Sequence, residues 1–424
     1  MAQKKNSPAL RFEGFTEDWE EKKFDKVFRN IRNNSLSRDN LNYKSGIAKN
    51  VHYGDILVKF GEILDVQKHQ LPYVTDDQIA EDLKSSQLIN GDIVLADAAE
   101  DEIVGKCVEI QNIDKEVVLS GLHTIAVRPT QEFAPKYLGY YMNSISYHDQ
   151  LVRLMQGTKV LSISKTVIQD TNVRYPSDRT EQSKISEYIT EIDELLNKHK
   201  KKHDRLVTLK KSMLEKMFPK EGQSVPEIRF KGFEGEWDEK RLGGLCSIIT
   251  KGTTPLDKSK KGSVSFIKIE NIDSISGSIN ITSKITLEEH ENYLQRSQLQ
   301  IGDILFSIAG TLGRIAIIEE KVLPANTNQA LAIIRLTTAN IGYISVYLKS
   351  QAIKDFIKRS PTIGAQPNLS LEQMNNIIIP LPCVSEQAKV FSYFQNLDTL
   401  ITKHKKQLEK LSNFKKSLSE KMFV

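Results

Sequence analysis

The sequence predicts a mixed α/β (α+β) chain built as an internal repeat: globular domain, long helix, globular domain, long helix. Three observations carry that prediction. Residues 181–218 and 386–423 align without a gap at an offset of 205, and 18 of the 38 positions are identical. A second pair opens each half: Pro8-Ala9-Leu10-Arg11-Phe12-Glu13-Gly14-Phe15, followed by Trp19, returns as Pro226-Glu227-Ile228-Arg229-Phe230-Lys231-Gly232-Phe233, followed by Trp237. Each long segment keeps an apolar seven-residue period with no internal Gly or Pro, whereas the regions between them carry short strand-like and helix-like runs.

In chain order, residues 1–180 form the first domain, 181–218 the central helix, 219–385 the second domain and 386–424 the C-terminal helix. Strand-like runs in the first domain lie at 54–58, 92–95 and 124–127, with a helical pattern at 137–143. The central helix sets Ile185, Ile192, His199, Leu206 and Met213 seven residues apart, with Tyr188, Leu195, Lys202, Leu209 and Lys216 as a second row. Pro219 and Gly222 end it. The second domain offers strand-like runs at 265–269, 303–306 and 330–334 and a helical pattern at 344–349. Fragments such as Gly91-Asp92-Ile93 against Gly302-Asp303-Ile304 echo the repeat.

The last helix repeats the first, with Val390, Leu397, His404, Leu411 and Leu418 in one row and Tyr393, Leu400, Gln407, Phe414 and Lys421 in the other. Each helix is roughly 57 Å long at 1.5 Å per residue. One apolar row needs a partner, so the two helices are expected to form an antiparallel coiled coil, with a pseudo-two-fold relating the halves. His199 and Lys202 against His404 and Gln407 read as a polar layer that fixes register. Two histidines without Cys or carboxylates are a poor metal site.

Composition narrows the function. With 424 residues, 39% apolar and 27% charged, the chain can bury real cores, which excludes wholesale disorder. No window approaches the roughly 18 apolar residues of a membrane span. The charged start MAQKKNSPALRF leads into no apolar run, so the expectation is no signal peptide and a cytoplasmic protein. Cys107, Cys246 and Cys383 lie far apart, against a disulfide scaffold or a zinc site. The net charge of +5 is unevenly spread. Residues 196–220 hold nine Lys/Arg against two acids and residues 401–424 seven against two, leaving the remainder at −7.

Motifs of catalysis are absent. There is no GxxxxGK[ST] phosphate loop, and Gly310-Thr311-Leu312-Gly313-Arg314 lacks the Lys-Ser/Thr that would hold phosphate and magnesium. No GxGxxG, HExxH or GxSxG occurs, nor the Asn/Asp-Pro-Pro-aromatic tetrapeptide of amino-directed DNA methyltransferases. His52, His69, His123, His148 and His290 are scattered and read as surface or internally satisfied side chains. The pattern points to recognition or scaffolding.

Two variable domains separated by near-identical heptad helices, each opened by Glu-Gln (Glu181-Gln182 and Glu386-Gln387), resemble the specificity subunit of a type I restriction-modification enzyme. The resemblance covers the whole chain. It is carried by the Pro-x-Leu/Ile-Arg-Phe-x-Gly-Phe-x-x-x-Trp motif of both halves and by Ser120-Gly121-Leu122-His123-Thr124-Ile125-Ala126-Val127-Arg128-Pro129. The second half adds Lys251-Gly252-Thr253-Thr254-Pro255, Gln366-Pro367-Asn368-Leu369-Ser370 and Ile379-Pro380-Leu381-Pro382. In the first half only Lys159-Val160-Leu161-Ser162 and Tyr175-Pro176 stand where the last two would be.

The resemblance implies two target-recognition domains, each reading one half of a split site in double-stranded DNA. The paired helices would space them and dock two methyltransferase subunits. Those partners would bring S-adenosylmethionine, motor-nuclease subunits would bring ATP and magnesium, and this chain would carry no catalytic residue, metal or cofactor. Base readout asks for Arg/Lys against guanine and Asn/Gln against adenine, with Lys, Ser and Thr on phosphates. Candidates in the first domain are Arg29, Arg32, Asn33, Asn34, Arg38, Lys44 and Lys159. In the second they are Lys251, Thr253, Thr254, Lys258, Lys260, Lys261, Asn271, Arg314, Asn328, Gln329 and Gln366. Residues 1–180 carry a net charge of −3, so the subunit alone is expected to hold DNA weakly. Two rivals are a stand-alone DNA-binding or anti-restriction protein of the same fold, and a nuclease with unrecognised carboxylates.

Overall fold

The structure is a computed structural model and describes residues 6–256, 261–359 and 368–424. Contacts gather into two compact units, one of Met1–Lys198 with Leu408–Val424 and the other of His199–Gln407. Each contains one globular domain and parts of both long helices, Arg179–Lys216 and Val384–Met422.

The first unit is built on a five-stranded sheet in the order Phe28–Ile31, Thr124–Pro129, Ile93–Ala96, Cys107–Gln111, Ile63–Asp65. A second sheet runs Val117–Ser120, Ala48–Val51, Tyr73–Val74, Leu41–Asn42, its first two strands parallel. The second unit repeats the plan more briefly. One sheet orders Cys246–Lys251, Leu331–Leu336, Ile304–Ser307, Ile315–Ile317, and the other Lys284–Ile285, Val264–Ile267, Ala325–Thr327, again with one parallel pair.

The central strands read as unbroken apolar runs because both faces are covered. Their side chains alternate. Ile93 and Leu95 join the core that holds Tyr137, Tyr141 and the helix residues Ile185 and Ile189, while Val94 and Ala96 join a separate core with Ile56, Val108 and Ile110. Ile304 and Phe306 likewise face one core of the second unit and Leu305 the other.

The small repeated fragment acquires a reason here. Buried Asp92 accepts a two-pronged pair from Arg128 on the neighbouring strand, 2.7 Å on each side, and also takes the Ile89 N–H. Asp303 does the same with Arg335 and the Gln300 N–H. A buried carboxylate needs such a partner, so the Gly-Asp-Ile turn recurs with its arginine.

Five of the six strand-like runs hold to within a residue or two; 54–58 does not. It is the helix Tyr53–Val58, whose first turn is capped by His52 Nδ1 accepting from Gly54 N at 3.2 Å. A five-residue run with three apolar side chains cannot distinguish strand from helix, and the cap decides it. Helical patterns at 137–143 and 344–349 appear as Tyr137–Met142 and Ile341–Tyr347.

The long helices pair antiparallel. In the first unit Ile185, Ile189 and Ile192 share a core with Leu418, Met422 and Phe423 from the other helix's end. In the second, Leu206, Leu214 and Met217 share one with Val390, Phe394, Leu397 and Ile401. The second row of the seam lies one residue later than the period suggested. Tyr188, Leu195, Leu209, Leu400 and Phe414 are exposed, whereas Ile189, Met217, Phe394, Ile401 and Met422 are buried. Positions three and four along share a helix side, and neighbours such as Leu195-Leu196 are both apolar, so the pattern tolerates either row. Of the polar layer, His199 and His404 meet, Nδ1 to Nδ1 at 2.9 Å, and Lys202 is exposed.

Candidate nucleic-acid interface

Each repeated motif is first of all a clip. Arg11 makes a two-pronged pair with Glu181 at 2.7 and 2.8 Å, and Arg229 does so with Glu386 at 2.8 Å on both sides. Hydrogen bonding to Glu181 raises the Arg11 pKa, as Glu386 does for Arg229, so both stay charged. Phe12 meets Tyr188 edge-on and Phe230 meets Tyr393. The following glutamine ties the domain down. Gln182 accepts from Ala134 N and donates to the Pro176 carbonyl, while Gln387 accepts from Asn340 N and donates to the Pro382 carbonyl. Two domains of different sequence are thus mounted on their helices by the same fittings.

Beyond those fittings, each unit brings four chain segments to one rim of its sheets, and the backbone bonds correspond one for one. Asn34 N donates to Ser120 O and Thr253 N to Thr327 O. Ile163 N donates to Asp97 O and Leu369 N to Ile308 O. Ser162 pairs with Ala98 as Asn368 pairs with Ala309. The segment Ser162-Ile163-Ser164 therefore occupies the place of Asn368-Leu369-Ser370. Ser164 and Ser370 each cap the turn that follows, accepting from Val167 N and Gln373 N.

On this shared frame the side chains differ. In the first unit the rim encloses a cleft of about 550 Å³ lined by Arg32, Asn33, Asn34, Asp82, Asp97 and His123 among others. His123 sits at a φ of 52° and its Nδ1 is 3.2 Å from Asp97 Oδ1. Burial raises the Asp97 pKa, and His123 and Lys165 only partly offset it. Donors and acceptors converge, which is what a base edge requires. In the second unit Thr253 N is bonded to the Thr327 carbonyl and Thr254 Oγ1 donates to Gln329 Oε1.

Of the first-domain candidates, Arg32, Asn33 and Asn34 line the cleft. Asn34 is spent on the fold: it is buried, donates to Asn50 Oδ1 at 2.8 Å and accepts from Leu36 N. Arg29, Arg38, Lys44 and Lys159 are exposed outside that lining, and Arg38 is committed to Asp55 at 2.7 Å. Burial lifts the Asp55 pKa, yet hydrogen bonds from Arg38 and Lys59 hold it below the ordinary value.

In the second domain Lys251, Thr253, Thr254, Asn328 and Gln329 gather around the strand ends. Lys261 is exposed ahead of Val264–Ile267. Asn271 is buried, accepting from Lys268 N and donating to Thr282, and Arg314 donates to the carbonyls of Ile269 and Ile272, so both serve the interior. Lys258, Lys260 and Gln366 lie outside the described residues. Sequence reasoning missed Asp97 and Lys165 and took His123 for an ordinary histidine, because only the fold brings them to one rim. Among the described residues no group of three or more His, Cys, Asp or Glu is placed to hold a metal, and no helix is long and apolar enough to cross a membrane.

Comparison with known proteins gives this arrangement a context. Residues 234–413 match the type I restriction modification DNA specificity domain. The chain is 23% identical over 418 residues to a Methanocaldococcus jannaschii protein provisionally named the MjaX specificity subunit of a type I restriction enzyme, covering 95% of this chain and 92% of that one. It is 25% identical over 199 residues to the EcoBI specificity subunit of Escherichia coli, covering 44% and 41%. The crystal structure of a type I S subunit from M. genitalium superposes over 99% of both chains with a TM-score of 0.56 at 15% identity. A chain from a study of type I complex assembly superposes over 96% and 97% with a TM-score of 0.55 at 17% identity. With its duplicated fittings, paired helices and domain match over residues 234–413, the chain is similar to the specificity subunits of type I restriction-modification systems and shares the fold of their solved S subunits.

Proposed function

We propose that this chain selects the DNA sequence for a type I restriction-modification complex, with each domain reading one half of a bipartite site. The carrying observation is the pair of rims: one backbone frame occurs twice and bears different side chains. Two copies of a frame suit two duplex segments, and unlike side chains suit unlike base sequences. In this reading the helices hold the half-sites apart. The exposed apolar positions Leu195, Leu209, Leu400 and Phe414 support docking of protein partners, since the helix pair already buries its seam without them. The partners are two methyltransferase subunits supplying S-adenosylmethionine and motor-nuclease subunits supplying ATP and magnesium.

Strand-resolved methylation sequencing of cells with and without this chain tests the reading. A two-part motif should appear only with the chain. Replacing residues 20–160 by those of a relative should change one half of that motif and leave the other intact. A change in both halves, or in neither, would sink modular readout.

A further inference from the structure

One side chain in the first-unit cleft is oriented from both sides. Lys165 Nζ donates to Asn33 Oδ1 at 2.7 Å, and Asn33 Nδ2 reaches the Gly121 carbonyl at 3.5 Å. An ammonium offers only donors and a carbonyl only lone pairs, so these two contacts assign the amide: oxygen toward Lys165, nitrogen toward Gly121. Each contact leaves capacity over, one lone pair on Oδ1 and one N–H on Nδ2. Asn33 lines the cleft, and Lys165 lies half-buried outside its lining.

An acceptor and a donor side by side on one amide complement the N6–H and N7 that adenine shows in the major groove. The rest of the cleft suits a base edge better than a phosphate, because the carboxylates of Asp82 and Asp97 line it beside Arg32. The second unit holds an amide in a similar way, with Thr254 against the oxygen of Gln329. We propose that Asn33 reads an adenine in the half-site of the first domain, and that Lys165 is a positioning residue holding the Asn33 amide in its reading orientation. The proposal rests on the DNA-selecting function argued above.

The test uses the full chain with its partner methyltransferase. Methylation sequencing is run on cells carrying the wild type, Asn33→Ala, Lys165→Ala, Lys165→Arg, the Asn33→Ala/Lys165→Ala double variant, or Gln329→Ala. Duplexes altered at single positions then give relative methylation rates. Asn33→Ala should relax one adenine position in one half-site, with roughly a tenfold or greater loss of discrimination there. Lys165→Ala should relax that same position, Lys165→Arg should restore it, and the double variant should be no worse than Asn33→Ala alone. Gln329→Ala should leave that half-site unchanged.

Three outcomes overturn the proposal. Lys165→Ala could slow all sites equally and keep the motif, which marks a phosphate contact. The two single variants could relax different positions. Both could abolish methylation altogether, which marks a purely structural pair. If the wild-type chain directs no two-part motif, the failure belongs to the function and not to Asn33.

Discussion

Glu109 shows how one buried group can set the pH response of a unit. Its carboxylate is 2% exposed and accepts from Lys136 N, Gln111 Nε2 and Gly139 N at 2.5, 2.6 and 2.8 Å. Burial outweighs those donors and pushes its pKa from 4.5 up to about 7. A carboxyl whose pKa rises on folding favours the folded state while it is protonated. That contribution is complete below 4.5 and is lost as pH climbs through 7, amounting to on the order of 3 kcal/mol. Glu109→Gln should lower stability overall, because an amide N–H then faces a donor, but it should flatten this limb of the stability–pH curve in denaturant titrations. An unchanged slope would place the pH response elsewhere. Little of this is legible in sequence, where Glu109 is one acid among many. The same holds for Asn34 and Asn271, chosen as readers because loop asparagines are usually exposed, yet folded inward by backbone donors nearby. The Arg11–Glu181 pair was visible as two repeated motifs, but its partners stand 170 residues apart and only the fold joins them.

Among elements, the long helices were the most legible, since 38 residues without Gly or Pro leave few alternatives. Their inner row was legible only by half, because Tyr188-Ile189 and Leu195-Leu196 offer two adjacent apolar rows and the neighbours decide between them. Ile192→Asp or Ile401→Asp should therefore cost several kcal/mol, as an unpaired buried charge does. Leu195→Lys and Leu400→Lys should stay within about 0.5 kcal/mol of wild type in chemical denaturation. The same lysines should weaken methyltransferase binding in a pull-down or titration. Equal destabilisation by both sets would mean that the inner row is misassigned. The helix Tyr53–Val58 was illegible for a related reason: its six residues span fewer than two turns, and a histidine cap is an unusual start signal.

For the whole molecule, the repeat makes the order of its halves a matter of connection and not of packing. In the second unit Ile228 N donates to Lys216 O at 2.9 Å and Trp237 N to Ser224 O at 2.9 Å, along continuous chain. In the first, Trp19 N donates to Asn6 O at 2.8 Å along continuous chain, but Leu10 N donates to Lys421 O at 2.9 Å across segments that lie 411 residues apart. By the repeat, Val424 stands for Pro219 and Asn6 for Ser224, so a copy of Lys220-Glu221-Gly222-Gln223 should bridge the first to the second. A permutant so joined, lacking residues 1–5 and opened between Gly222 and Gln223, should unfold cooperatively near the wild-type denaturant midpoint and direct the same methylated motif. A permutant that folds poorly would show that the existing connection contributes to stability in its own right. The doubled Arg–Glu fittings carry a further consequence for inheritance. A domain arriving from a relative's gene brings the arginine, and the resident helix supplies the glutamate and glutamine, so the newcomer is seated before any of its rim residues is put to use. If each domain reads a half-site as proposed, lineages can trade half-sites by crossing over at the start of the helices, and a new specificity costs no redesign of the mount.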